Sequence, residues 1–280
     1  MTRNDVFVRS LVIILGLGAI LGGSEGRSEE LVGHLVICGG GGLPDAVRGK
    51  FVELAGGPKA RIVVVPTASE DADADGPALD EFLAPWRKHG AASVKLLHTR
   101  SRAEADKPEF VAALDDADAV WFSGGDQSRV TDAYLGTATD AAFRKVLARG
   151  GVLGGTSAGA ALMTRVMITG GTEKASVGTG FGFLPGVVVD QHALRRSRLN
   201  RLLGVLGDHP EVAAGVAIDE STALIVDLGA KRWEVGGASY VVVLKPSKAA
   251  APLRIDVLHA GQGGELGSWD VKDRVIQQNR

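Results

Sequence analysis

Short runs built almost wholly of apolar residues recur along the first half of this chain, and each is followed by an amphipathic stretch. The runs are "HLVICGGGG" (34–42), "ARIVVVPTAS" (60–69), "SVKLLHT" (93–99), "AVWFSGGDQ" (119–127) and "GVLGGTS" (151–157). Between and after them lie "PDAVRGKFVELAG" (44–56), "GPALDEFLAPWRKHG" (76–90), "FVAALDDA" (110–117), "TDAAFRKVLARG" (139–150) and "AGAALM" (158–163), with helical spacing, an early proline or a glycine stop. A strand that is apolar on both faces must be covered on both faces, and a helix after each strand supplies the cover. The pattern therefore predicts an α/β fold around a parallel sheet, with functional loops at the carboxyl ends of the strands. Three glycine-bearing strand ends fit that place: 39–42, 124–127 and 154–159. Beyond residue 210, "GVAIDESTALIVDL", "RWEVGG", "ASYVVVLK" and "LRIDVLHAGQ" read as a strand-rich end of the same domain, and "DVKDRVIQQNR" as a frayed tail.

A chain of 280 residues can bury a large core without staples, and a net charge of −2 gives no overall pull toward nucleic acid or anionic membrane. A lone cysteine, Cys38, excludes an internal disulfide and reads as a core thiol. The N-terminus has Arg3 and Arg9, an apolar run from Leu11 to Leu21, then small polar residues including Ser24 and Gly26. That is the layout of a secretory signal peptide over 1–26, leaving a domain over 27–280 that works outside the cytoplasm. The run is short for a membrane span, so membrane attachment is expected only if the segment stays uncleaved. No cysteine follows it to carry a lipid anchor.

The stretch "GGVLGGTSAGAAL" surrounds one hydroxyl, Ser157, with the smallest side chains. Gly155-Thr156-Ser157-Ala158-Gly159 matches G-x-S-x-G between a strand and a helical stretch, the setting of a nucleophile elbow. Such a turn is strained and tolerates only small neighbours. It aims the hydroxyl outward and sets the amide of Ala158 where it can stabilise an oxyanion. The plainer alternatives are a close helix–strand contact and a phosphate-binding turn. Serine needs a base at neutral pH. His34, His89, His98, His209 and His259 sit at strand starts, helix ends or loops, whereas His192 ends the apolar run "GVVVDQH" and is favoured. The orienting acid is expected from Asp219 or Glu220, at another strand end; adjacent strand residues face opposite ways, so one of the two reaches the ring.

"WFSGGDQSR" offers a glycine amide, Gly125, to complete an oxyanion hole opposite Ala158, and Gln127 to bind a substrate amide; its plainer alternative is a turn capped by Asp126. "QHALRRSRLNRLLGVL" carries a stripe of Leu199, Leu202, Leu203 and Leu206, with Arg195, Arg196, Arg198 and Arg201 on other faces. These arginines read as a solvated basic surface or as a clamp for substrate carboxylates. "EDADADGPALDEF" is not a calcium loop, because Phe82 stands where the bidentate acid is required. "CGGGGLP" lacks the spacing of a dinucleotide loop. The mechanism requires no metal and no organic cofactor.

Together, "GGGGLP", "VPTAS", "FSGGDQSR", "GGTSAGAALM", "DQHALRRSRLNRLL" and "AIDESTAL" resemble, in order and over about residues 34–226, the cyanophycinase family of serine peptidases, relatives of the aspartyl dipeptidases. The resemblance implies a class I glutamine amidotransferase-like fold, a three-layer, doubly wound, mostly parallel sheet, and a homodimer. It implies Ser157 as nucleophile, His192 as base and Glu220 as orienting acid, with Gln127, Gln191, Arg196, Arg198 and Arg201 around the substrate. It implies cleavage of cyanophycin, a poly-aspartate bearing arginine on its side chains, to β-Asp-Arg dipeptides; the alternatives are a related aspartyl or isoaspartyl peptidase with another substrate, and a non-catalytic carboxylate-peptide-binding protein on the same fold. Ala193 stands where the family usually has an aromatic residue, and Asn200 where a glycine is common.

Overall fold

The structure is a computed structural model, described for residues 30–246 and 253–272. The signal segment expected over 1–26 and the end of the chain after Lys272 lie outside the described residues. The elements run β1 (His34–Cys38), α1 (Asp45–Leu54), β2 (Arg61–Val65), α2 (Pro77–Lys88), β3 (Ser93–Leu96), α3 (Arg102–Ala105), α4 (Pro108–Val111), β4 (Ala119–Phe122), α5 (Gln127–Tyr134), α6 (Ala138–Ala148), β5 (Val152–Thr156) and α7 (Ala158–Ala161). There follow β6 (Val166–Gly170), β7 (Ser176–Thr179), β8 (Val187–Gln191), α8 (Leu199–Asp208), β9 (Ala214–Ile218), β10 (Thr222–Asp227), β11 (Arg232–Gly237), β12 (Tyr240–Lys245), β13 (Arg254–His259), β14 (Gly263–Glu265) and β15 (Val271–Lys272).

The five apolar runs form neighbouring parallel strands in the order β1-β5-β4-β2-β3. β10, β11, β14 and β15 extend this sheet beyond β1 in antiparallel pairing, to nine strands. Side chains of a strand alternate between faces, and here both faces are apolar. Leu35, Ile37, Val63, Val65, Val120 and Phe122 pack against α5, α6 and α7. Val36, Cys38, Ile62, Val64 and Trp121 pack against α1 and α2, where the rings of Phe51, Trp86 and Trp121 meet with centroids 4.6–5.1 Å apart. Each fully buried side chain of this size contributes about 1.5–3 kcal/mol relative to exposure. Cys38 is buried in that second core, and burial pushes its thiol up.

The strand-rich end also builds a second sheet, β13-β12-β9-β8, whose pair β8–β9 is parallel. Val187, Val189, Val216, Ile218, Val241 and Val243 face the common core, while Val188, Ala217, Val242 and Leu244 face α8. The carboxyl ends of β8 and β9 thus arrive beside those of β1, β4 and β5. Several expectations shift. The helix after Ser157 is a single turn, and a hairpin, β6–β7, follows it. On α8, Leu202, Val205 and Leu206 are buried, and Leu203 faces solvent. Of the tail expected to fray, the Asp270 carboxylate holds Lys245 and Arg254 and Val271–Lys272 forms β15, while the remainder lies outside the described residues.

Candidate active site

Ser157 follows β5 with φ 54° and ψ −110°, a conformation that costs an ordinary residue on the order of 1–3 kcal/mol. The tightness explains its small neighbours. A Cβ on Gly155 would lie 2.4 Å from the Gly159 carbonyl oxygen, and one on Gly159 would lie 2.3 Å from that of Phe122. The elbow therefore closes on itself and on β4. It is tied to β1 by the Ser157 amide, which donates to the Cys38 carbonyl at 3.0 Å.

His192 directly follows β8, and its ring bridges two side chains. Nε2 lies 2.9 Å from Ser157 Oγ, and Nδ1 lies 2.6 Å from Glu220 Oε1. Serine, imidazole and carboxylate thus form one hydrogen-bonded chain, contributed by the ends of β5, β8 and β9. Burial pushes the His192 pKa below its ordinary value; the hydrogen bond to Glu220 opposes this, and the charges of Arg196 and Arg198 reinforce it. A neutral ring is what can accept a proton from a hydroxyl.

The glycine run after β1 makes room for this chain. A Cβ on Gly40, at φ +107°, would lie 2.2 Å from His192 Cε1, and one on Gly41 would lie 2.9 Å from Glu220 Oε2. The loop is fixed on both sides, since the His192 amide donates to the Gly39 carbonyl at 2.7 Å and the Ser221 amide to that of Gly40 at 2.9 Å. In the sequence "CGGGG" marks a functional strand end and a poor match to a nucleotide loop, with no role assigned to its glycines. Four glycines at one strand end were the available sign that another element crosses there at backbone distance.

The choice between the two acids is decided by geometry. Glu220 meets the ring, while the Asp219 carboxylate turns the other way, toward the backbone after His192. Gly124 lies against Ser157, with a Cβ built on it 3.5 Å from the serine Cβ. Gly125 takes φ +134° because the Ala68 carbonyl leaves no space for a side chain, a Cβ falling 2.0 Å from it. Ala158, the other expected oxyanion residue, is buried as the first residue of α7, beside Ser157. Asp126 caps α5 by accepting from the Ser128 amide at 2.8 Å, as the plainer reading of that loop has it.

The residues expected around a substrate separate into two groups. Arg196 is exposed in the turn after His192, and Arg198 is half-buried, donating to Gln191 Oε1 at 2.7 Å and to the Gln191 carbonyl at 3.0 Å. Arg201 departs from the expectation that it lies on an open face of its helix. It is 1% exposed, and its guanidinium grips Asp190 with Nε–Oδ2 2.7 Å and Nη2–Oδ1 2.5 Å. Its remaining nitrogen Nη1 donates to the Gly171 carbonyl of the β6–β7 turn. All three of its nitrogens are thus engaged within the protein, and the guanidinium is closed to solvent. Gln127 is also buried and donates to the Ile168 carbonyl at 2.6 Å, in the same hairpin. Asp190, which the sequence reading passed over, is fully buried, and only the fold shows that it is the partner Arg201 requires. Ala193 is wholly buried under α8, and Asn200 is exposed. Among the described residues no cluster of His, Cys, Asp and Glu could hold a metal ion.

An elbow serine, a neutral histidine and a carboxylate in one chain, on loops at strand ends of an α/β sheet, define the class of serine-type hydrolases. Residues 35–232 match the profile of peptidase family S51, and the chain belongs to that family of serine-type peptidases. It is 35% identical to a cyanophycinase from Geminocystis herdmanii (strain PCC 6308), over 66% of this chain and 71% of that protein. It is 36% identical to a cyanophycinase from Synechococcus elongatus, over 72% of this chain and 66% of that protein, so the chain spans about two thirds of the length of these relatives. Among solved structures, a peptidase from an acI-B1 Actinobacterium superposes with a TM-score of 0.67 at 26% identity, covering 85% of this chain and 99% of that one. A putative peptidase E protein from Listeria monocytogenes EGD-e shares the fold, with a TM-score of 0.53 at 16% identity, over 74% of this chain and 99% of that one.

Proposed function

We propose that this chain is an exported serine exopeptidase that hydrolyses cyanophycin to β-Asp-Arg dipeptides through an acyl-enzyme. The carrying observation is the hydrogen-bonded line from Ser157 Oγ through the His192 ring to Glu220. In this reading Ser157 Oγ attacks the scissile carbonyl carbon and its proton passes to His192 Nε2. Glu220, on Nδ1–H, holds the ring's tautomer and offsets the positive charge it gains. The amides of Gly125 and Ala158 receive the oxyanion. The imidazolium then protonates the leaving nitrogen, the C–N bond breaks, and an ester to Ser157 remains. Water, losing its proton to His192, cleaves that ester and restores the serine. Arg196 and Arg198 supply positive charge for the free α-carboxylates of the substrate's arginine units, whose aspartate side chains are taken up in amide bonds. The resemblance and the similarity to proteins named cyanophycinase support the substrate.

Purified residues 27–280 incubated with cyanophycin should release dipeptides, read by mass spectrometry. A folded protein that releases none, yet cleaves isoaspartyl dipeptides, would move the substrate and leave the mechanism. The pH profile has a definite sign. The reaction needs the neutral ring, whose pKa lies below its ordinary 6.5. Activity should therefore persist on lowering the pH through 6.5 and reach its half-value only below it. A half-value above 6.5 would contradict a buried base next to two arginines.

The export reading rests on the layout of residues 1–26, and the homodimer reading on the family. N-terminal sequencing of the exported protein should begin near Arg27, and a start at Met1 would exclude cleavage.

A further inference from the structure

Two acids stand side by side after β9, and only Glu220 touches the histidine. Asp219 is 9% exposed, and a buried carboxylate without partners would be costly. Its partners are specific. Oδ1 accepts from the Arg195 amide at 2.8 Å and the Leu194 amide at 3.1 Å, and Oδ2 accepts from Ser239 Oγ at 2.8 Å. Leu194 and Arg195 lie two and three residues after His192, in the turn that takes the chain from β8 toward α8. His192 itself has φ 50°, a conformation an L-residue leaves unless its surroundings fix it. The end of β9 restrains this turn through backbone and carboxylate: the Ala193 amide donates to the Ile218 carbonyl at 3.2 Å, and the next two amides go to Asp219.

We propose that Asp219 is a positioning residue, which pins the turn after His192 so that the imidazole stays in line between Ser157 and Glu220. The adjacent acids thus divide the work. Glu220 orients the ring through its nitrogen, and Asp219 orients it through the backbone that carries it. Ser239, preceding β12, is the outer brace of the same arrangement. Burial works to raise the Asp219 pKa, but the Arg195 amide, the Ser239 hydroxyl and the amides of Glu220 and Leu194 outweigh it, and the group is held below the usual carboxylate range. It remains an anion, and charged acceptors make the stronger hydrogen bonds.

The inference rests on Ser157 and His192 acting as nucleophile and base. It is tested by labelling the full mature chain with a fluorophosphonate probe, which reacts with an activated serine, and separating the maximal labelling rate from the probe's binding constant. Asp219→Ala should lower the maximal rate about 10- to 100-fold, the effect of displacing a catalytic group by roughly 1 Å, with probe binding unchanged. Asp219→Asn keeps an oxygen for the two amides and a polar atom for Ser239, so its rate should recover to within about fivefold of wild type, the deficit reflecting loss of charge assistance. Folded Asp219→Ala protein that labels at the wild-type rate overturns the proposal, and so does Asp219→Asn protein as slow as the alanine variant. If Asp219→Ala does not fold, Ser239→Ala decides: a rate about two- to fivefold lower at unchanged Tm supports the brace, and the wild-type rate overturns it. Wild-type protein that takes no label, or a Ser157→Ala variant that labels equally, would instead remove the nucleophile reading and this inference with it.

Discussion

Ser157→Ala should abolish both probe labelling and dipeptide release, lowering the rate by about 10⁴- to 10⁶-fold. The variant deletes one oxygen atom and adds nothing. Alanine inherits the same backbone angles, φ 54° and ψ −110°, so the strain of the elbow is unchanged. The amides of Ala158 and Gly125 stay in place, and the His192–Glu220 pair at 2.6 Å loses only one of its neighbours. Stability should therefore be nearly that of wild type, and a residual rate of about 10³-fold over water is expected if these two amides serve as the proposed oxyanion donors. Because the fold is preserved, the loss reports the nucleophile rather than unfolding. Intact-mass analysis after probe treatment, alongside thermal melting, reads the two separately. A stably folded variant that still acquires one equivalent of label would place the reactive group elsewhere and leave the hydrogen-bonded chain of Ser157, His192 and Glu220 without its first member.

Much of this site is legible in the chain because its parts lie at the ends of apolar runs, where a parallel sheet delivers them to one edge. Gly155 to Gly159 declares its turn by its lack of side chains, and His192 is the histidine that directly ends such a run. What stays hidden depends on pairings between distant elements. Nothing near Arg201 in the sequence shows that it will face inward, since its partner Asp190 sits on another element and their pairing replaces solvent for both. Gln127 likewise looks like a free amide until β6 arrives with the Ile168 carbonyl. The hairpin β6–β7 itself is obscure because β7 is exposed along its length and carries no apolar alternation. The choice between Asp219 and Glu220 needed the direction of a chain leaving its strand, which residue types do not specify. The second sheet shows the opposite case. β8, β9 and β12 are buried almost throughout, and their apolar runs, valine-rich in β8 and β12, mark them as strands before any partner is known.

Gly40→Ala should lower activity by about 10³-fold or more while leaving most of the fold intact, although residue 40 carries no functional group. The added methyl would lie 2.2 Å from His192 Cε1, 2.4 Å from Nε2 and 2.8 Å from Nδ1, so it lands on the ring as a whole. Ordinary van der Waals contact for a Cβ begins at 3.4 Å, and relief needs a displacement of more than an ångström. The loop cannot supply it cheaply. Its carbonyls at Gly39 and Gly40 accept from the amides of His192 and Ser221, and moving away breaks both bonds. The ring must move instead, and it is held at 2.9 Å from Ser157 and 2.6 Å from Glu220, distances that tolerate no such shift. Alanine at φ +107° adds backbone strain on the order of 1–3 kcal/mol, which should appear as a lowered Tm. Gly42→Ala is the matched control: its Cβ meets nothing within 4 Å, and it should label at close to the wild-type rate. Gly41→Ala, whose Cβ would lie 2.9 Å from both Cβ and Oε2 of Glu220, should fall between the two, because these contacts are less severe than 2.2 Å and the carboxylate, unlike Cβ, can swing away. Folded Gly40→Ala protein with wild-type labelling would show that the glycine run and the imidazole do not share this space. The graded series, with its largest loss at position 40, would show that Gly40 and Gly41, by lacking side chains, shape the base's position as surely as the acid that bonds it.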